Sequence, residues 1–146
     1  MRCLGIDYGE RRVGLSYGDE LGVAVPLPAA TDPQPEARLA RIVELARQRR
    51  VTDLVVGYPY NMDGSVGFKA REVDAFIGKL TAQLALPVHR VDERLSTRTA
   101  TEHMSKRRDD ALRRSGKIDS MAATVILQDF LNQRLPPAGL DEPPLA

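Results

Sequence analysis

The stretch Cys3-Leu4-Gly5-Ile6-Asp7-Tyr8-Gly9-Glu10-Arg11-Arg12-Val13-Gly14-Leu15-Ser16-Tyr17 decides the fold. Its first five residues read as a buried strand, Tyr8 to Arg12 as a turn, and Val13 to Tyr17 as an antiparallel partner. A third strand is expected at Val23-Ala24-Val25-Pro26-Leu27, with Pro26 and Pro28 marking a sheet edge or its end. Asp7 closes the first strand just before the turn. That places an ionised carboxylate at the rim of an apolar sheet, a position charges avoid without a partner. The plain alternative is a turn aspartate that accepts bonds from the next backbone amides.

Outward from this hairpin the chain alternates helix and strand. Thr31 and Asp32 offer N-cap oxygens ahead of Pro33 and Pro35, and Leu39, Ile42, Val43 and Ala46 then recur at helical spacing. Asp53 to Gly57 is a short apolar run suited to a doubly covered parallel strand. Tyr58 to Ser65 is turn chemistry. A second helix carries Val73, Phe76, Ile77, Leu80 and Leu84 on one stripe, and Pro87 introduces the strand Val88 to Asp92. Ser96 or Thr97 caps a short helix reaching about residue 104, Ser105 to Gly116 reads as a mobile polar loop, and a last helix runs from Ile118 to Gln133. On that helix Met121, Ala122, Val125, Ile126 and Phe130 are the expected apolar stripe, and the small Ala122-Ala123 pair allows close approach to the sheet. The expectation is an α/β fold: one mixed five-stranded sheet, three antiparallel hairpin strands followed by two parallel ones, flanked by helices. A single domain over residues 1–134 and a proline-rich, disordered tail over 135–146 complete the division.

Composition narrows the classes. The 146 residues fit one domain. Cys3 is the single cysteine, which excludes an intrachain disulfide and points to a reducing, cytoplasmic setting. The N-terminus meets a charge at Asp7, too early for a signal peptide, and no apolar run reaches membrane-spanning length. A net charge of +1 argues for no partner, but the distribution does: residues 94–117 hold eight basic residues against three acidic ones.

Two further acidic positions join Asp7. Asp92-Glu93 end the strand after Pro87, and since strand side chains alternate faces, one of the pair looks toward the site; spacing does not say which. Asp119 sits in the first turn of the last helix, with Ala122, Ala123, Ile126 and Phe130 on the same face, so its carboxylate is expected to point toward the sheet. An acid complementing the helix dipole is the bland reading there. Three carboxylates converging on one rim would repel one another unless divalent cations intervened. Oxygen donors suit Mg²⁺ or Mn²⁺, and no Cys/His cluster exists to make a zinc site. His89 and His103 read as structural or surface residues. Two such ions about 4 Å apart can activate water and stabilise the leaving oxygen of a phosphodiester.

These residues resemble the YqgF/RuvX family of the ribonuclease H-like superfamily, bacterial proteins described as Holliday-junction resolvases and as nucleases maturing the small-subunit ribosomal RNA precursor. The resemblance rests on Gly5-Ile6-Asp7-Tyr8-Gly9 with Arg12-Val13-Gly14, on Val56 to Ser65, on Asp92-Glu93-Arg94-Leu95-Ser96-Thr97, and on Asp119 with Ala122-Ala123 and Ile126-Leu127-Gln128. Gly-Ile-Asp-x-Gly alone also resembles the phosphate loop of actin-type ATPases, but those need two such domains. The resemblance implies a ribonuclease H-like fold and catalytic, metal-holding acids at Asp7, Glu93 and Asp119, choosing Glu93 over Asp92. Two places depart from the family pattern: Leu15-Ser16-Tyr17 is more polar than an apolar second strand, and the tail has no counterpart.

Around these acids, Arg11, Arg12 and Arg94 are candidates to hold phosphates or to neutralise carboxylate charge. Lys106, Arg107, Arg108, Arg113, Arg114 and Lys117 form a phosphate-attracting run, or a solvated face. Asn61 and the helix that follows it are candidates for a backbone phosphate, with Ser65 as a simple N-cap the alternative. No stacking platform is evident, so recognition by shape and backbone is expected. The function read here is a divalent-metal-dependent endonuclease acting on a four-way DNA junction or on pre-16S rRNA. Resolving a junction calls for a homodimer with two symmetry-related sites. The competing reading is a non-catalytic RNA-binding ribosome-assembly factor.

Overall fold

A computed structural model describes residues 1–61, 63–92 and 117–134. Five strands form one sheet: β1 (Arg2–Asp7), β2 (Val13–Asp19), β3 (Val25–Ala30), β4 (Asp53–Tyr58) and β5 (Val88–Asp92), in the order β3-β2-β1-β4-β5. β1 pairs antiparallel with β2 and parallel with β4, and β4 parallel with β5. The mixed sheet is the one expected. Three helices cover it: α1 (Pro35–Gln48), α2 (Phe68–Gln83) and α3 (Met121–Arg134), the last preceded by a 3₁₀ turn at Ile118–Ser120. Among the described residues no helix is long and apolar enough to cross a membrane.

Strand alternation separates two cores. Leu4, Ile6, Leu15, Leu54 and Val56 face α1 and α2, where Ile42, Val73, Phe76 and Leu80 close over them. Cys3 and Val55 face α3, against Ile126, Leu127, Phe130 and Leu131. Burial pushes the Cys3 thiol up to about 11, in keeping with its expected role as a small apolar residue. α3 lies close to the sheet because Gly5 leaves room: a Cβ there would sit 2.8 Å from Leu127 Cβ and 2.9 Å from the Ala123 carbonyl.

Several local expectations shift. β3 begins at Val25 rather than Val23 and runs through both prolines, which an edge strand tolerates because half its N–H groups face no partner. α1 starts after Gln34 with no side-chain cap; the carboxylate of Asp32 goes instead to Arg41, at 2.7 and 3.0 Å. α2 likewise starts after Gly67, so Ser65 is not its N-cap; the Ser65 hydroxyl donates to Asp63 Oδ1. The stripe of α3 is rotated from the expected one, burying Ala123, Ile126, Leu127, Phe130 and Leu131. The expected short helix up to residue 104, the loop 105–116 and the tail 135–146 lie outside the described residues.

Candidate active site

β1, β4 and β5 run parallel, so Asp7, Tyr58 and Asp92 end at the same edge of the sheet. The carboxyl ends of parallel strands, with their connecting loops, are where α/β folds place ligands. Asp7 has the alternation of Cys3 and Gly5 and therefore belongs to the α3 side. It pairs across the ladder with Gly14. Gly14 in turn packs on the 3₁₀ turn, so tightly that a Cβ there would meet the Asp119 carbonyl. Two of the three expected acids are thus brought to one rim from opposite ends of the chain.

Two serines hold Asp119 there. The register of β2 against β3 is irregular between Val13 and Leu15, and the Leu15 N–H donates to Ser120 Oγ at 2.9 Å. Ser16, fully buried, donates from Oγ to the Ala123 carbonyl at 2.8 Å. The polarity of β2 that departs from an apolar strand therefore serves to pin the start of α3. Neither serine was singled out from sequence as a site element; the signal was Ser16 itself, a hydroxyl in a buried strand.

Arg12 reaches Asp119 from the β1–β2 turn, its Nη1 3.1 Å from Oδ2 and 3.2 Å from Oδ1. Arg11 is exposed on the same turn, and Lys117 is half-buried at the start of the 3₁₀ turn. Asn61 lies beyond β4 at the same edge, its Nδ2 donating to Ser65 Oγ at 3.0 Å. Asp92 shares its alternation with Arg90, which bonds Asp74 of α2 at 3.2 Å, whereas His89 stacks on Phe130 of α3. Asp92 is therefore on the side away from Asp7. Glu93, Arg94, Lys106, Arg107, Arg108, Arg113 and Arg114 lie outside the described residues. Among the described residues no group of three or more His, Cys, Asp or Glu side chains could hold a metal ion. The expected trio would need Glu93.

His89 belongs to the opposite end of the sheet. Its Nε2 lies 2.8 Å from Asp53 Oδ2. Burial raises the Asp53 carboxyl, but hydrogen bonds from His89 and Thr52 outweigh it and leave the group below its ordinary range. That pairing is the structural role expected of this histidine.

Comparison with known proteins gives the family. Relatives named "Putative pre-16S rRNA nuclease" include one from Opitutus terrae, 59% identical over 94% of this chain and 95% of its own length. Another, from Anaeromyxobacter dehalogenans, is 42% identical over 93% of this chain and 100% of its own. Among solved structures, Thermus thermophilus RuvC matches with a TM-score of 0.54 at 18% identity, covering 92% of this chain and 96% of that one. The Fowlpox virus resolvase in complex with Holliday junction DNA matches with a TM-score of 0.57 at 11% identity, covering 92% and 99%. At those identities the likeness is one of fold, the RuvC-like ribonuclease H fold. Residues 1–133 match the family described as "RuvX: Holliday junction resolvase", and to that family the chain belongs.

Proposed function

We propose that this protein is a divalent-metal-dependent endonuclease that hydrolyses phosphodiester bonds of structured RNA, with pre-16S rRNA as its substrate and Asp7, Glu93 and Asp119 as its metal-holding acids. The observation that carries this reading is the convergence of Asp7 and Asp119 on one sheet rim across Gly14. The substrate follows from the names of the relatives, two of which match nearly end to end. A four-way DNA junction, which the family description favours, is the second reading.

Asp7 and Asp119 offer the type of donor such a metal takes. Carboxylate oxygens on a half-exposed rim suit hard cations that keep part of their water, Mg²⁺ or Mn²⁺. Asp92 is turned to the other side of the sheet, and the family resemblance implies Glu93 as the third acid. Two divalent ions bound here would supply water activation and stabilisation of the leaving oxygen. The chain's own side chains do the rest. Arg12 lowers the negative potential around Asp119. Arg11, Arg94, Lys117 and the basic run Lys106, Arg107, Arg108, Arg113 and Arg114 attract and orient the phosphate backbone, with Asn61 at the loop beside it.

The test offers end-labelled pre-16S rRNA fragments and four-way DNA junctions to purified protein with Mg²⁺, Mn²⁺ or chelator. Metal-dependent cutting of the RNA alone supports the proposal. Paired symmetric nicks confined to the junction would transfer it to the resolvase reading, with a homodimer as its working form. Binding of RNA without cleavage of either substrate would favour a non-catalytic assembly factor.

A further inference from the structure

Arg38 stands where the apolar stripe of α1 should continue. With Ile42 and Ala46 it forms the i, i+4, i+8 row that faces the core, and it is 7% exposed. Burying a guanidinium is costly unless its donors are satisfied, and among the described residues no carboxylate pairs with this one. Its donors go to main-chain carbonyls of two separate loops. Nη1 donates to the Asp32 carbonyl at 2.7 Å and to that of Pro33 at 3.2 Å, while Nη2 donates to the Glu10 carbonyl at 2.7 Å. The first loop leads into α1 and is already fixed by the bonds from Arg41 to Asp32. The second is the turn between Asp7 and Arg12. That turn is tight, since a Cβ on Gly9 would meet the Arg12 carbonyl at 2.6 Å.

We propose that Arg38 is a positioning residue for the catalytic rim: by holding the Glu10 carbonyl it fixes the turn between Asp7 and Arg12, and so sets where the Arg12 guanidinium meets Asp119. A leucine or methionine would fill the same stripe without the desolvation cost, but would cut the link between α1 and the turn. The catalytic consequence rests on the nuclease reading; the conformational one does not.

Arg38→Met and Arg38→Lys are compared in the full chain with Ile42→Val, which trims the same helix face and leaves the carbonyl bonds in place. Amide hydrogen exchange at residues 9–12 is expected to speed up about tenfold or more in Arg38→Met, less in Arg38→Lys, whose ammonium keeps three donors, and not in Ile42→Val. On the RNA substrate, kcat is expected to fall about tenfold with KM nearly unchanged, and this fall is expected to vanish when Arg12 is already glutamine. Should Arg38→Met fail to fold, Arg38→Lys carries both readouts. Exchange at residues 9–12 that stays at the wild-type rate, or that rises equally in Ile42→Val, overturns the proposal. A wild type that cuts no substrate removes the nuclease reading, and the exchange result still decides whether Arg38 holds the turn.

Discussion

The Arg12 guanidinium grips the Asp119 carboxylate across 107 residues of sequence, its Nη1 3.1 and 3.2 Å from the two oxygens. The side chains are 58% and 30% exposed, so the pair contributes only about 0–1 kcal/mol to folding. Its value is local, in the potential and orientation at the rim. Arg12→Gln should therefore shift the thermal midpoint by no more than a few degrees while slowing RNA cleavage about tenfold or more. Loss of stability in proportion to loss of rate would contradict that assignment.

Gly14 is where the hairpin touches the turn that carries Asp119. An alanine Cβ there would run into the Asp119 carbonyl oxygen, so backbone must move. Gly14→Ala is expected to cost about 1–3 kcal/mol in urea unfolding and to abolish cleavage even at temperatures where the variant is fully folded. Retained activity would show that Asp119 need not stay where Gly14 places it.

Ser120 accepts from the buried Leu15 N–H, beside the irregularity in the β2–β3 register. Ser120→Ala strands that donor and should cost about 1–3 kcal/mol. Thr124→Ala, which removes only a hydroxyl bonded to the Ser120 carbonyl, should cost about 1 kcal/mol or less. Denaturant titration of the two variants side by side decides; equal costs would mean that Leu15 finds another acceptor.

Asp53 gives the fold a defined acid response. Its carboxyl lies below the ordinary 3.8 in the folded chain, despite burial, because His89 and Thr52 donate to it. A lowered carboxylate stabilises the fold above its unfolded pKa, and that contribution is lost as pH falls through the folded value. The stability gap between wild type and Asp53→Asn should therefore be full at neutral pH and narrow as pH falls below the ordinary carboxylate value of 3.8. A gap that is constant across that range would show that the carboxylate's charge plays no part.

What the sequence made legible were features set by local pattern. The apolar runs of β1 and β4 and the stripe of α2 show directly in residue order, because burial on two faces or on one helical face leaves a regular trace, while β5 shows through the Pro87 that introduces it. Asp7 was legible as a charge ending such a run. Other features depend on contacts distant in sequence. The residue order misphases the stripe of α3 because the helix is apolar on most sides, and its true face is chosen by Gly5 and Ser16 on the sheet. Asp119 was expected on a helix face, yet a 3₁₀ turn anchored through Ser120 positions it. Arg38 was passed over because a charge in a helix normally faces water; nothing local announces three carbonyls converging on it. Thr31 and Asp32 looked like caps, and the nearby arginines claimed the loop instead.

The most direct measurement is cleavage of a pre-16S rRNA fragment by wild type and Asp7→Asn, in Mg²⁺, in Mn²⁺ and in chelator, with RNA binding and thermal unfolding recorded on the same preparations. The expected result is cutting by wild type that needs the metal and disappears in Asp7→Asn, a drop of about a hundredfold or more, while binding and unfolding barely change. Wild-type cleavage that survives chelation, or an Asp7→Asn protein that still cuts at the wild-type rate, would contradict a metal-dependent active site at this rim.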